Sequence, residues 1–357
     1  MFNTVRRSSL LLVLILFCAA ATFAQQSPPP SSAPASAPGA PGNRKVTLDV
    51  VVTPKSGPPV SDLQQQDFTA LDNKSPQTIT SFHAFTGREA PIEVILVIDA
   101  VNTVYDRLSY ERLQVDKFLR AEGGRLGYPL VLAVLTDKGI QVVGDNFSTD
   151  GNAIAAALDK DEIGLRFLTR STGYYGAAER LDISLKAFHQ LVASEAPRPK
   201  RKIMLWISPG WPLLSGPNTM LDAKQQQQIF SEIVGFSNQL EQGRVTLYSI
   251  NPLGTNESLT QESYYKEFVK GVSKPSQVLI GNLGLQVLAI QSGGLSLNLS
   301  NDIAGALTQC LADSAPYYEI SFVAPASSQR DEYHHLEIKI AKPGLTARTR
   351  QGYYAQP

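Results

Sequence analysis

The stretch Pro91–Thr103, PIEVILVIDAVNT, decides how this chain is read. Val94 to Ile98 is an unbroken apolar run, with Glu93 before it and Asp99 ending it abruptly. A short continuous run of this kind fits a strand covered on both faces of a parallel sheet. Open α/β sheets form their ligand crevice at the carboxyl ends of such strands. Asp99 falls there, ahead of a loop carrying Asn102 and Thr103, and Leu108 to Arg120 reads as the returning helix.

Downstream, strand and helix patterns alternate. Leu130–Thr136 reads as a strand, followed by an antiparallel one at Ile140–Val143. Helices are expected over Asn152–Leu158 and Tyr175–Val192, then a strand at Ile203–Ile207. A helix over Leu221–Leu240 ends at Gly243, a C-cap residue type, before strand Val245–Ile250. Helix-like Glu262–Lys270 and Leu283–Gln291 follow, then a strand at Leu295–Leu299 and a helix over Asp302–Ala312. Such alternation predicts a doubly wound, mostly parallel α/β domain.

Both flanks are all-β. Val46, Leu48, Val50 and Val52 alternate on one face, and strands are expected at Phe68–Asp72 and Gln77–Phe85. Tyr317–Val323, Tyr333–Ile340 and Arg348–Tyr354 read as strands at the other end. Neither set is large enough to stand alone, so the two are expected to pair into a small sandwich-like module with the α/β domain inserted between them. The expected division is 1–24 signal peptide, 25–44 tether, 45–88 first part of the β module, 89–314 α/β domain and 315–357 second part.

The N-terminus reads as an export signal: Arg6 and Arg7, an apolar run from Leu10 to Ala21, and a small-x-small site at Thr22–Ala24. About a dozen apolar residues fall short of the ~20 that span a bilayer. A signal anchor is the alternative reading, and the destination is periplasmic or secreted. Ser27–Gly42 is Pro/Ala/Ser-rich and cannot bury a core. The 357 residues have 43% hydrophobic and 18% charged content and zero formal net charge, which gives no basis for a nucleic-acid partner. No other segment is apolar enough to span a membrane. Cys310 is the one cysteine left after signal removal and reads as a buried, inert thiol.

The segments VTLDVVVTPKSGPPVSDLQQQDF, ITSFHAF, VILVIDAVNT, DNFSTDGNAIAAAL, YSINPLG, SGGLSLNLSNDIAGAL, YYEISFVAP and TRQGYYA occur in that order from Val46 to Tyr354. In that order and spacing the chain resembles the von Willebrand factor type A (vWA)-related proteins abundant in acidobacteria. The resemblance implies a divalent cation at the strand's carboxyl end, held by Asp-x-Ser-x-Ser, a loop Thr and a further loop Asp. Asp99 keeps the first place, Val101 stands at the first Ser and offers no oxygen, and Thr103 takes the second Ser. Thr172, beside Ser171, lies in the loop for the Thr, and Ser208-Pro209-Gly210 stands where the further Asp belongs. One carboxylate with hydroxyls holds Mg²⁺ or Mn²⁺ weakly, since such ions want about six oxygens.

Three readings of Asp99 stand side by side: a reduced metal site with Thr103 and Thr172, a cap for the following loop, and part of a metal-free binding rim. That rim would comprise Asn102, Tyr174, Tyr175, Ser208 and Trp211, since aromatics anchor interfaces. Trp206 and Trp211 as core residues is the competing reading. His334-His335 point to opposite strand faces and cannot chelate one ion. His189 lacks the i+4 partner of a zinc helix, and no nucleophile elbow or phosphate-binding loop occurs. Pro197–Lys202, PRPKRK, reads as a solvated basic loop, with docking to an acidic partner as the alternative.

The expected function is a non-catalytic, exported protein-binding module, adhesive or scaffolding, using the carboxyl-end face. The alternative is a structural subunit of an envelope complex that docks through its β module.

Overall fold

The computed structural model describes residues 44–87, 90–160, 173–214, 220–252, 265–298, 301–327 and 329–356. The signal peptide, the Pro/Ala/Ser tether, Ser171 and Thr172 lie outside them.

Four strands come first: β1 (Lys45–Pro54), β2 (Phe68–Asp72), β3 (Ser75–Gln77) and β4 (Ile79–Phe85). Asn73 and Lys74 link β2 to β3 with φ of 48° and 69°, the two left-handed residues of a tight hairpin turn. The apolar run is β5 (Ile92–Asp99), buried at every position. It is followed by α1 (Tyr105–Leu119), β6 (Arg125–Thr136), β7 (Gly139–Asp150), α2 (Gly151–Lys160) and α3 (Gly173–Glu195). Then come β8 (Arg201–Ile207), α4 (Ala223–Gln242), β9 (Val245–Ile250), α5 (Leu285–Gln291), β10 (Ser296–Leu297) and α6 (Ile303–Leu311). The chain ends with β11 (Tyr317–Val323), β12 (Tyr333–Ile340), β13 (Leu345–Arg348) and β14 (Gly352–Tyr354).

The central sheet has the order β10-β9-β8-β5-β6-β7. All neighbours are parallel except β6 and β7, joined as a hairpin. The order reverses beside β5, so the switch point falls where Asp99 ends its strand. Alternate β5 residues feed two cores. Val94, Leu96 and Ile98 pack with Leu108, Val115 and Leu307 on one side. Ile95 and Val97 pack with Phe188, Ile233 and Leu240 on the other. Each large aliphatic side chain so buried contributes about 1.5–3 kcal/mol. Capping fixes the helix starts locally. The Asp222 carboxylate accepts from the Gln225 backbone N–H at 2.8 Å, while the Gln225 side-chain amide oxygen accepts from the Asp222 N–H at 2.9 Å. Asp302 accepts from the Gly305 N–H at 3.0 Å and opens α6.

Strands from the two ends of the chain pair with one another. One four-stranded antiparallel sheet has the order β13-β1-β11-β4 and the other β14-β12-β2-β3. Val46, Leu48 and Val50 of β1 share a core with Ile320, Phe322, Leu336 and Ile338. The expected single strand Arg348–Tyr354 is instead two: β13 pairs with β1, β14 pairs with β12, and the chain changes sheets across residues 349–351. Within expected helix Glu262–Lys270, the described residues form only a single 3₁₀ turn, Tyr265–Glu267.

Pro197–Lys200 of the basic run form an exposed loop, but the last two residues, Arg201 and Lys202, are buried at the start of β8. Arg201 is 1% exposed, donates to the Asp313 carbonyl at 2.8 Å and lies 4.2 Å above the Tyr317 ring. Lys202 is fully buried, and its ammonium donates to the carbonyls of Arg198, Lys200 and Gly243 at 2.8, 3.0 and 3.0 Å. Arg198 and Lys200 meet Glu93 at 3.4 and 3.2 Å. Cys310 is buried, and burial pushes its thiol up, away from thiolate reactivity. His334 is buried against Asp72 at 2.8 Å, whereas His335 on the opposite strand face is exposed.

Candidate functional site

Strand β5 delivers Asp99 to the switch point with no exposed surface. A buried carboxylate must be matched by donors or it forfeits its hydration for nothing. The loop after β5 supplies the first set: the N–H groups of Val101 and Asn102 donate to Oδ1 at 3.0 and 2.9 Å. The Asn102 amide donates to Oδ2 at 2.8 Å. Strand β8 and the residue after it supply the second set: the Ser208 hydroxyl donates to Oδ2 at 2.8 Å and the Trp206 indole N–H at 3.4 Å. Asn102 also donates to the Ser184 hydroxyl on α3 at 2.9 Å, and Ser184 in turn donates to the Arg180 carbonyl at 2.8 Å. The carboxylate therefore ties the β5 loop, β8 and, through Asn102, α3 into one knot. Burial pushes Asp99 above the usual carboxylate range; the hydrogen bonds from Asn102, Ser208 and Trp206 pull the other way.

The cation implied by the resemblance does not fit this donor set. Both Asp99 oxygens already receive hydrogens from the protein. Val101, at the place of a hydroxyl ligand, is 2% exposed and belongs to an apolar core. Thr103 is 1% exposed and lies beside Glu111. Ser208 acts as a donor where a second carboxylate would stand. Thr172 falls outside the described residues. Among the described residues, no group of three or more His, Cys, Asp or Glu is placed to hold a metal. A hard dication wants several oxygen lone pairs, and this cluster presents mainly N–H and O–H.

Glu111 is the residue that sequence reading missed. It sits on α1 with no exposed surface, and its carboxyl is pushed far above its ordinary value, first by burial and then by the nearby Asp99 charge. The nearby Thr103 hydroxyl and the Arg107 charge offset this in part. The signal was available: Leu108, Glu111, Val115 and Phe118 recur at helical spacing, so Glu111 falls on the apolar stripe.

The expected rim residues separate into three groups. Asn102 and Ser208 are parts of the knot. Trp211 is 3% exposed and packs edge-on against Phe188 and Trp206 at 5.5 and 5.6 Å, so it is a core residue and not an anchor for a partner. Tyr174 and Tyr175 remain at the surface, 40% and 83% exposed, with ring centroids 5.9 Å apart. They open α3, and Ser184 lies nine positions further along the helix than Tyr175. At 1.5 Å per residue, the pair stands about 14 Å along the axis from the knot. Val104 and Tyr105, 61% and 45% exposed, follow the β5 loop, and Met220, 89% exposed, follows β8. Val104, Tyr105 and Met220 lie on segments beyond the carboxyl ends of the parallel strands β5 and β8.

No family model matches the chain, and no curated protein matches it. Similar solved structures include the conserved hypothetical protein BatB from Bacteroides thetaiotaomicron, at 13% identity and TM-score 0.33, covering 63% of this chain and 98% of that one. Another is manganese-loaded TRAP protein of Plasmodium vivax, at 9% identity and TM-score 0.34, covering 80% and 100%. The SpRpn10 VWA domain matches at 11% identity and TM-score 0.30, covering 61% and 94%. Likenesses of this size transfer no residue role, metal or partner to the present chain. Among the described residues, no helix is long and apolar enough to cross a membrane.

Proposed function

We propose that this chain is an exported, non-catalytic protein-binding module of the vWA-like, acidobacterial type. Its contact surface is the carboxyl-end face of the central sheet, and its degenerate site works without a metal. The observation that carries this reading is a set of exposed apolar side chains on the segments around the end of β5. Among the described residues, Val104, Tyr105 and Met220 follow the carboxyl ends of the parallel strands β5 and β8, and Tyr174 and Tyr175 open α3, whose far end leads into β8. Exposed aromatics on a rigid base suit recognition, because they offer large contact area at low entropic cost. The Asp99 knot supplies the rigid base by fastening the β5 loop to β8 and α3. In this reading residues 1–24 direct export, the Pro/Ala/Ser stretch spaces the module from its exit site, and the α/β and β parts form the domains expected from the sequence.

The test is site-specific photocross-linking in cells that make the full chain. A photoreactive phenylalanine analogue replaces Tyr105, Tyr175 or Met220 in turn, with Val142 and Val323 as exposed control positions. The reading expects the same adduct from the first three positions and none from the controls. An adduct at Val323 alone, on a strand of the β module, favours the envelope-subunit alternative. No adduct at any of the first three overturns the proposal.

A further inference from the structure

Strand β4 (Ile79–Phe85) forms one edge of the sheet β13-β1-β11-β4 and is paired on one side only, with β11. An antiparallel strand turns the N–H and C=O groups of alternate residues toward each neighbour, so an edge strand leaves half of them outside any ladder. Among the described residues, the β4 backbone makes no backbone hydrogen bond beyond its ladder with β11. The Gln65 side-chain amide reaches the Ile79 carbonyl at 3.5 Å, at the strand's first residue. No position of β4 is buried. The strand is nonetheless held by its aromatics: Phe82 lies 5.8 Å from Tyr318 and 5.4 Å from Phe68, and Phe85 stacks on Tyr317 at 4.8 Å.

Proteins guard such edges with charge, proline, short length or a covering element. The other edges of the two antiparallel sheets follow that rule. β3 has three residues and contains Pro76. β14 has three residues and lies against α4, with Tyr354 5.9 Å from Phe230. β13 has four residues and ends in Arg348. β4 has seven residues, ITSFHAF, with no Lys, Arg, Asp, Glu or Pro. Its one guard is a register shift opposite Ser321 and Phe322, which leaves Ser81–Phe85 in regular pairing.

We propose that β4 pairs antiparallel with β4 of a second copy of this chain about a two-fold axis, joining two four-stranded sheets into one. Three features select that occupant. An antiparallel strand edge is complementary to its own copy in backbone hydrogen bonding. A strand without acidic or basic side chains sets no like charges opposite each other across the axis. Pairing about a two-fold axis uses the edge of both copies and stops at the dimer. The chain's own stretch Ser27–Gly42 is unsuited to the edge, because Pro28–Pro30, Pro34, Pro38 and Pro41 have no N–H to give a ladder.

The experiment follows the full chain by sedimentation velocity and by hydrogen–deuterium exchange between about 1 and 100 µM. One strand pair is a small interface, so the dissociation constant should be on the order of 10 µM. Monomer should give way to dimer across that range, and the amides that gain protection with concentration should fall within Ile79–Phe85. The double variant His83→Lys, Ala84→Lys changes two exposed positions and sets ammonium groups on both sides of the axis. It should weaken association by at least about tenfold, with the thermal midpoint reporting that it folds. If it does not fold, exchange in the wild-type chain still decides. A monomer throughout the range, protection gained outside β4, or undiminished association of the folded double variant overturns the proposal.

Discussion

Ser208 donates its hydroxyl hydrogen to Asp99 across 2.8 Å, joining the loop after β8 to the end of β5 at the sheet's switch point. The same hydroxyl accepts from the Gly210 N–H at 3.1 Å, so one side chain sets the direction of the turn that leads into Trp211. A position where the resemblance calls for a carboxylate thus holds a donor, and Asp99 becomes the centre of a hydrogen-bonded knot.

Removing donors should therefore cost stability in proportion to what Asp99 is left without. Ser208→Ala deprives Oδ2 of one of its two short hydrogen bonds and should cost about 1–3 kcal/mol in urea unfolding. Asp99→Ala strands the donors of Asn102, Ser208 and Trp206 together and should cost more, about 3–5 kcal/mol. Equal stability of both variants and wild type would contradict the knot.

Glu111 should make stability pH-dependent. Its folded carboxyl titrates well above the ordinary value of 4.5, because burial favours the neutral form. Between those two values the folded state holds a proton that the unfolded state has lost, so stability falls as pH rises through that interval. Glu111→Gln removes this proton linkage. The variant should gain on wild type as pH rises from about 4.5 toward neutrality, read by denaturant midpoints at several pH values. A difference that does not vary with pH contradicts the assignment.

The basic run should split sharply under substitution. Lys202→Met leaves three carbonyls without their donor in a buried site and should cost about 3–5 kcal/mol. Lys200 is about half exposed in its pair with Glu93, and Lys200→Ala should cost under about 1 kcal/mol. Thermal unfolding of both variants checks the contrast.

The surface tyrosines should be dispensable for folding. Tyr175 is 83% exposed, so Tyr175→Ser should change stability by no more than about 0.5 kcal/mol. The same change should weaken partner cross-linking from Met220. Loss of folding in Tyr175→Ser would place this residue in the core, against the account.

Much of the fold was legible because its signals are local. The unbroken run Val94–Ile98 marked a strand covered on both faces, and the alternation in β1 marked one covered on a single face. What escaped depends on contacts distant in sequence. Residues 349–351 carry the chain between two sheets without a local mark, the Gln351 N–H donating to the Gln291 carbonyl at 3.0 Å. The charges of Arg201 and Lys202 suggest solvent, yet Asp313, Tyr317 and the Gly243 carbonyl await them far along the chain. At the site, Asp99 was found from its strand position alone. Trp211 could not be assigned between rim and core because its neighbour Phe188 comes from another helix. Glu111 was passed over although its spacing placed it on the buried stripe.

The central claim is that Asp99 is a structural knot beneath a contact face that needs no metal. It is tested most directly by calorimetric titration of Mg²⁺ and Mn²⁺ into the full chain, with Asp99→Asn in parallel. The account predicts no saturable heat for either protein up to about 10 mM, a concentration at which even a weak hard-ion site would fill. Saturable binding to wild type that is lost in Asp99→Asn would contradict it.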